Sequence, residues 1–423
     1  MLIHVVKKGE MLWQIANYYN SDIGEIIKVN GLFNPNQLLV GQSLIIPSES
    51  ILYTVKIGDT LWKIAEKYGV SMQAIIDENK IINTNLIYPG VVLIIPQKQR
   101  PSIEVNAYTY MLGETAVPLV EEVGDLLTYL SPFAYVIQED GGLRTLNDVP
   151  AIETANSKNV TPMMSITNFT ITSKGENLAH VVLNSPQLIE TLHTNIINVM
   201  REKGYEGLNI DFENVLPEDR ESYNEFLLDT VDRMHREGFF VSTALAPKAS
   251  KEQRGLLYEA HDYEAHGRIA DFVILMTYEW GWRGGPPQAV SPINEMKKVL
   301  DYAITEIPRD KILMGFQIYA RDWMLPHVRG QIAETFSMQE AIARAVKYGV
   351  AIRYDEVSQS PFFHYTDEQG RAHEVWFEDA RSAQAKFDLA KEYNLRGISY
   401  WTLGYPFPQN WALLEDNFTT IKR

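Results

Sequence analysis

The chain has 423 residues, more than one average domain, and its 45% hydrophobic and 22% charged content is that of globular units with sizeable cores. A formal net charge of -16 opposes nucleic acid and anionic membranes as main partners, since both would repel it, and leaves open a neutral polymer such as a glycan. With no cysteine, disulfides, thiolate metal sites and cysteine nucleophiles are excluded together.

The opening residues, MLIHVVKKGEMLWQIANYY, show no long apolar run before periodic structure begins. No signal peptide and no membrane span are expected, so the chain is expected to fold in the cytoplasm of the cell that makes it. The first hundred residues repeat themselves. HVVKKGEMLWQIANYY from His4 aligns without gaps on YTVKIGDTLWKIAEKY from Tyr53, and VNGLFNPNQLLVGQSLIIP aligns on ENKIINTNLIYPGVVLIIP. Each copy predicts a short strand, a Gly-containing turn, a helix with Leu, Trp, Ile and Ala on one face, a second helix, and a closing strand. Trp13 and Trp62 sit at helical spacing with Leu and Ile and are expected in the core, although either could serve as a sugar-stacking platform. Two βααβ units over 1–48 and 51–97 result, joined by SES, and PQKQRPS marks the boundary with a third unit over 101–423.

The paired units resemble LysM modules, which bind N-acetylglucosamine-containing glycans, most tellingly in GDTLWKIA (58–65) and NLIYPGVVLIIP (85–96). The resemblance implies a sugar site between the loop after the first strand and the loop before the last. In the second repeat those loops hold Gly58, Asp59 and Thr60 with Leu86 and Ile87. In the first repeat Met11 stands where the second has the Thr60 hydroxyl.

Beyond residue 103 eight apolar, β-rich runs follow: 103–110, 129–137, 161–167, 207–213, 239–246, 271–278, 311–319 and 397–403. Amphipathic helical patterns such as SPQLIETLHTNIINVMREKG separate them, and the alternation predicts a (β/α)8 barrel, an α/β fold. The long stretch between the seventh and eighth runs exceeds one helix. There AIRYDEVSQSPFFHYTDEQGRAHEVWFED predicts a strand, a hairpin around DEQG and a further strand, a small insertion walling the groove.

In such a barrel chemistry sits at the C-terminal ends of the strands. In the fourth run, GLNIDFE, Leu208, Ile210 and Phe212 alternate with Asn209, Asp211 and Glu213, placing an amide and two carboxylates on one face, with Glu213 the last inward position. EGLNIDFE resembles the D-G-x-D-x-D-x-E motif of glycoside hydrolase family 18, with Glu206 and Asn209 in place of the two earlier acids. MTYEWGW resembles that family's sixth-strand Met-x-Tyr-Asp element, keeping Met276 and Tyr278 with Glu279 for Asp. GISYWTLG matches the eighth-strand Trp as Trp401, and MMSITNF keeps Ser165 of the third-strand motif without its glycines.

The resemblance implies a retaining mechanism in which the substrate's own 2-acetamido oxygen replaces a carboxylate nucleophile. Glu213 is the expected general acid and later base, and Asp211 holds the acetamido N–H and shares a proton with Glu213. Tyr278 orients the acetamido carbonyl and Trp401 floors the sugar ring. Asn209 is expected to hydrogen-bond Asp211 without adding charge, which shifts the acid limb of the pH profile. Trp280, Trp282, Trp323 and Trp376 either line the groove or pack.

No metal-ligand spacing and no phosphate-binding Gly-rich loop is found, His261 and His266 read as part of an exposed helix, and no cofactor is expected. LysM modules ahead of this barrel are similar to the spore cortex-fragment lytic glycosylases of spore-forming bacteria. That implies an N-acetylglucosaminidase acting on peptidoglycan at the spore coat and cortex, monomeric and tethered to glycan. A non-catalytic coat or wall-binding protein and a chitinase are the alternatives.

Overall fold

The protein's structure, a computed structural model, describes residues 1–47, 51–68, 70–83, 87–96 and 100–423. Eight parallel strands close a barrel: β1 (Ser102–Thr109), β2 (Tyr129–Pro132), β3 (Thr161–Thr167), β4 (Gly207–Asp211), β5 (Phe240–Leu245), β6 (Phe272–Leu275), β7 (Ile312–Gln317) and β8 (Gly397–Trp401). Each pairs with the next in sequence, and β8 returns to β1 through Gly397 opposite Glu104 and Tyr400 opposite Ala107.

Alternation decides which side chains go where. On β4, Leu208 and Ile210 join Phe212 in the outer layer, packed on the flanking helices with Ile196, Phe226 and Leu227. The opposite face turns into the barrel, whose interior holds Tyr108, Tyr129, Met163, Phe272, Ile274 and Leu313. Gly207 begins that face, where a Cβ would strike the Phe240 ring at 2.1 Å. The lower end is closed by Glu104, which accepts from the Tyr129 hydroxyl at 3.0 Å and from Arg396 Nε at 2.6 Å. A buried carboxylate so paired is tolerated where a lone one would not be.

Between β7 and β8 lies a five-stranded antiparallel sheet with the helix Met338–Tyr348, which carries a Ser337–Glu340 capping box. The hairpin around DEQG forms as expected, joining Ser360–Thr366 to Ala372–Trp376. Two further strands, Ala320–Leu325 and Glu334–Phe336, extend the sheet directly from the β7 exit.

Both N-terminal repeats fold as a two-stranded antiparallel sheet beside two helices. In each, one asparagine ties the second helix to the last strand. Asn30 Nδ2 donates to the carbonyls of Ile26 and Ile45, and Asn79 Nδ2 to those of Ile75 and Ile94. The first repeat docks on the barrel unit: Leu39 and Ile45 enter its core with Ile352 and Phe407, and Ile352 N–H donates to the Val40 carbonyl at 2.9 Å. Gly41 permits that approach, since its φ is +84° and a Cβ would lie 1.9 Å from the Ile352 carbonyl oxygen. Gln409 Nε2 seals the contact by donating to Asn30 Oδ1 and to the Ser43 carbonyl.

Candidate active site

Asn209 and Asp211 face into the barrel, and the chain leaves the sheet directly after them. Glu213 stands beyond the strand, not within it as the alternation predicts, because β3 stops pairing at Thr167, opposite Asp211. Past that point side chains hold the backbone. Asn168 Nδ2 donates to the Glu213 carbonyl oxygen and Asn168 Oδ1 accepts from the Glu213 N–H, each at 2.8 Å. From the other side His261 Nε2 meets the Phe212 carbonyl oxygen at 2.9 Å.

Asp211 is buried and Glu213 half-buried. Burial pushes the Asp211 carboxyl well above the usual range, and the neighbouring Glu213 charge adds to it; Glu213 is raised by burial first and by Glu279 second. Asp211 Oδ1 has no hydrogen-bond partner among the described residues. The expected Asn209–Asp211 bond is not formed. Residues two apart on a strand stand about 6.6 Å apart along it, and the Asn209 amide is already committed. Its Oδ1 accepts from the Tyr108 hydroxyl at 2.8 Å and from Ser165 Oγ at 3.5 Å, while its Nδ2 donates to Ser242 Oγ at 3.0 Å. Tyr108 and Ser242 escape sequence reasoning because their partner lies on another strand. Their inward parity on β1 and β5 is the one available signal.

Met276, Tyr278 and Glu279 follow β6 instead of belonging to it. Thr277 N–H returns to the Leu275 carbonyl and Tyr278 N–H to the Met276 carbonyl, each at 2.8 Å, so tight turns end the strand early. They bring Tyr278 over the mouth, partly open to solvent, with its phenol raised by burial and then by Tyr108 and Asp211. Gly315 on β7 leaves room for that ring: a Cβ there would lie 2.8 Å from Tyr278 Cε1. Glu279 adopts φ +69° and accepts from the Tyr319 hydroxyl and from Arg321 Nη2, the latter at 2.5 Å.

Trp401 ends β8 half-buried, edge-on to Phe133 and Tyr108 with centroids 4.8 and 5.6 Å apart. Of the other tryptophans, Trp323 is packed, Trp376 stacks on Phe362, Trp280 lies against the core, and Trp282 is 55% exposed. His261 and His266 are not on an exposed helix: both are buried, with burial pushing them down to about 4 and about 3. Glu264 faces outward from the short helix Tyr263–Ile269, Asp262 at its cap is paired with Arg220, and the imidazoles turn toward β5.

In the second repeat Gly58, Asp59 and Thr60 form the turn after the first strand, Ile87 is half-buried on the other loop, and Leu86 lies outside the described residues. The Asp59 carboxylate is held below its usual range by the Tyr53 hydroxyl, at 2.5 Å, and by Lys56 N–H. Glu10 does the same for the first repeat, accepting from Lys7 N–H at 2.7 Å beside His4. The acid at this position therefore fastens the turn. Trp13 and Trp62 are not core residues. Leu12, Ile15 and Ala16, and likewise Leu61, Ile64 and Ala65, fill the buried stripe, and the residue one step round is turned out, 53% and 61% exposed.

Residues 4–47 and 53–96 match the LysM domain, and residues 120–405 match glycosyl hydrolases family 18. The chain is 51% identical to the cortical fragment-lytic enzyme of Bacillus subtilis strain 168, covering 100% of this chain and 99% of that one. Its structure superposes on the spore cortex-lytic enzyme SleL of Bacillus megaterium QM B1551 with a TM-score of 0.89 at 44% identity, covering 100% and 99% of the two chains. A chitinase from Chromobacterium violaceum is similar over 74% of this chain and 98% of its own, with a TM-score of 0.68 at 25% identity. With two LysM domains ahead of its barrel, the chain belongs to glycosyl hydrolases family 18.

Proposed function

We propose that the protein is a retaining, substrate-assisted β-N-acetylglucosaminidase that hydrolyses peptidoglycan fragments of the spore cortex during germination, held on its substrate by LysM glycan binding. The observation that carries this reading is the pair of acids, Asp211 and Glu213, both raised by burial, at the barrel mouth beside Tyr278. The full-length likeness to cortical fragment-lytic enzymes supports the choice of polymer.

Glu213, its carboxyl raised above the ordinary range by burial, donates its proton to the glycosidic oxygen as the bond to the anomeric carbon breaks. The acetamido carbonyl oxygen of the same sugar attacks that carbon and forms an oxazolinium-like ion. Asp211, with a free carboxyl oxygen, takes the acetamido N–H, and the Tyr278 hydroxyl donates to the acetamido oxygen. Glu213, now a carboxylate, removes a proton from the water that opens the ring, and configuration is retained. Trp401 supports the sugar face. Met276, Glu279, Ser165 and Asn209 complete the substrate-binding and supporting set, and Gly58, Asp59, Thr60, Leu86 and Ile87 form the glycan site of the second module. The three units divide at 1–48, 51–97 and 101–423, and the protein acts as a monomer at the boundary of spore coat and cortex.

Replacing Glu213 with Gln and measuring fragment release from cortex muropeptides tests the reading. Release drops by about 10²–10⁴-fold if Glu213 supplies general acid–base catalysis; undiminished release overturns it and leaves the non-catalytic wall-binding reading. A chitinase reading draws on the likeness of the barrel to the Chromobacterium violaceum enzyme. Chitin oligosaccharides cleaved as fast as cortex fragments would favour it.

A further inference from the structure

The segment that carries Glu213 has left the sheet, yet its backbone is more fully bonded than an ordinary loop. The β3–β4 ladder ends at Thr167 opposite Asp211. A parallel pair would next satisfy the peptide groups of residues 212 and 213 from the β3 backbone, and groups left bare there would cost free energy. Here side chains continue the ladder. Asn168, the residue directly after β3, is buried and spends both ends of its amide on one residue, accepting from Glu213 N–H and donating to Glu213 C=O at 2.8 Å each. A side-chain amide carries that adjacent donor–acceptor pair on one planar group.

From the β5 side, His261 Nδ1 accepts from Ala246 N–H at 2.8 Å. The proton therefore sits on Nε2, which donates to the Phe212 carbonyl at 2.9 Å, and burial keeps the ring neutral by pushing its pKa down to about 4. One residue further on, Asn177 Nδ2 donates to the Asn214 carbonyl at 2.9 Å.

We propose that Asn168 and His261 are positioning residues that grip the peptide groups on either side of Glu213 and fix the direction in which its carboxyl meets the glycosidic oxygen. Asn168 holds it from the strand before and His261 from the loop after the strand behind. Neither side chain bonds the carboxyl itself, and neither exchanges a proton in the reaction. Their contribution is geometric, and displacement of a reacting group by about 1 Å costs roughly 10²-fold in rate. The proposal rests on Glu213 being the acid.

The test uses the full chain with cortex fragments as substrate and compares Asn168→Ala, His261→Asn and His261→Gln. In His261→Asn the side-chain oxygen still reaches Ala246 N–H, but the donor to Phe212 is lost. In His261→Gln the amide nitrogen stands where Nε2 stood and restores that donor. Asn168→Ala and His261→Asn are expected to lower kcat per folded molecule about tenfold to a hundredfold with KM within about twofold, and His261→Gln to recover at least half of the lost logarithm. A merely structural role would lower the folded fraction and leave kcat per folded molecule unchanged.

Unchanged kcat in Asn168→Ala and His261→Asn, or a His261→Gln variant no better than His261→Asn, overturns the proposal. If Asn168→Ala fails to fold, the two His261 variants decide the matter alone. Glu213→Gln is measured beside them: activity surviving that change sinks the acid assignment, whereas its loss with normal Asn168 and His261 variants sinks only the clamp.

Discussion

Asp211 shows how much of the site can be read in one residue and where that reading stops. Its place on the inward face, two positions before Glu213, follows from the strand period. That its Oδ1 would be left bare does not, because the answer depends on Asn209 choosing Ser242, a residue of another strand. The raised Asp211 carboxyl also has a sign for stability. The native state keeps a proton that the unfolded chain releases in the ordinary carboxylate range, so stability falls as pH rises from that range through the raised pKa. At neutral pH Asp211→Asn is therefore expected to raise the thermal midpoint, by about 1 kcal/mol of stability, while lowering kcat; calorimetry and a rate assay on one preparation check both. For Glu213 the second cause of its raised pKa is Glu279. Glu279→Gln removes that charge and leaves Arg321 unpaired beside the site, and both changes favour the Glu213 carboxylate. The alkaline limb of kcat against pH is expected to move to lower pH, and a limb that stays in place or moves up contradicts the assignment.

The strands themselves were legible as apolar, β-rich runs between amphipathic helical patterns, and all eight form where those runs predict them. Their ends were not, since the same kind of sequence carries on into residues that no longer pair. Met276 and Tyr278 alternate like strand residues but lie on successive tight turns, which is what lifts Tyr278 over the mouth. The helices show the complementary limit. Trp13 and Trp62 lie one residue from the buried stripe, where a 100° step per residue turns an apolar side chain outward. At this scale the sensitive contact is between β7 and the β6 exit. A methyl group at Gly315 would meet Tyr278 Cε1 at 2.8 Å and the Leu275 carbonyl at 2.5 Å. Gly315→Ala is expected to cost about 1–3 kcal/mol of stability and to lower kcat by displacing the phenol. Denaturant unfolding measures the first effect and the rate on cortex fragments the second.

At the scale of the whole chain the gapless internal repeat announced two equal modules, and their folds are alike down to the asparagine that ties helix to strand. Their surroundings are not. Leu39 and Ile45 of the first module are 9% and 0% exposed against the barrel unit, while the matching Tyr88 and Ile94 of the second are 61% and 38% exposed. The repeat does not announce which module docks, because the docking is made by Ile352, Arg381 and Gln409, hundreds of residues downstream. Sharing a core has a calorimetric consequence. A module whose apolar face is completed by another unit cannot melt without exposing that unit's surface, so the first module and the barrel should unfold in one cooperative transition and the second module in its own. Gly41→Val, which would drive a side chain into the Ile352 carbonyl, is expected to split the larger transition. The boundary drawn by sequence similarity would then differ from the one drawn by heat: three units by descent, two by cooperativity.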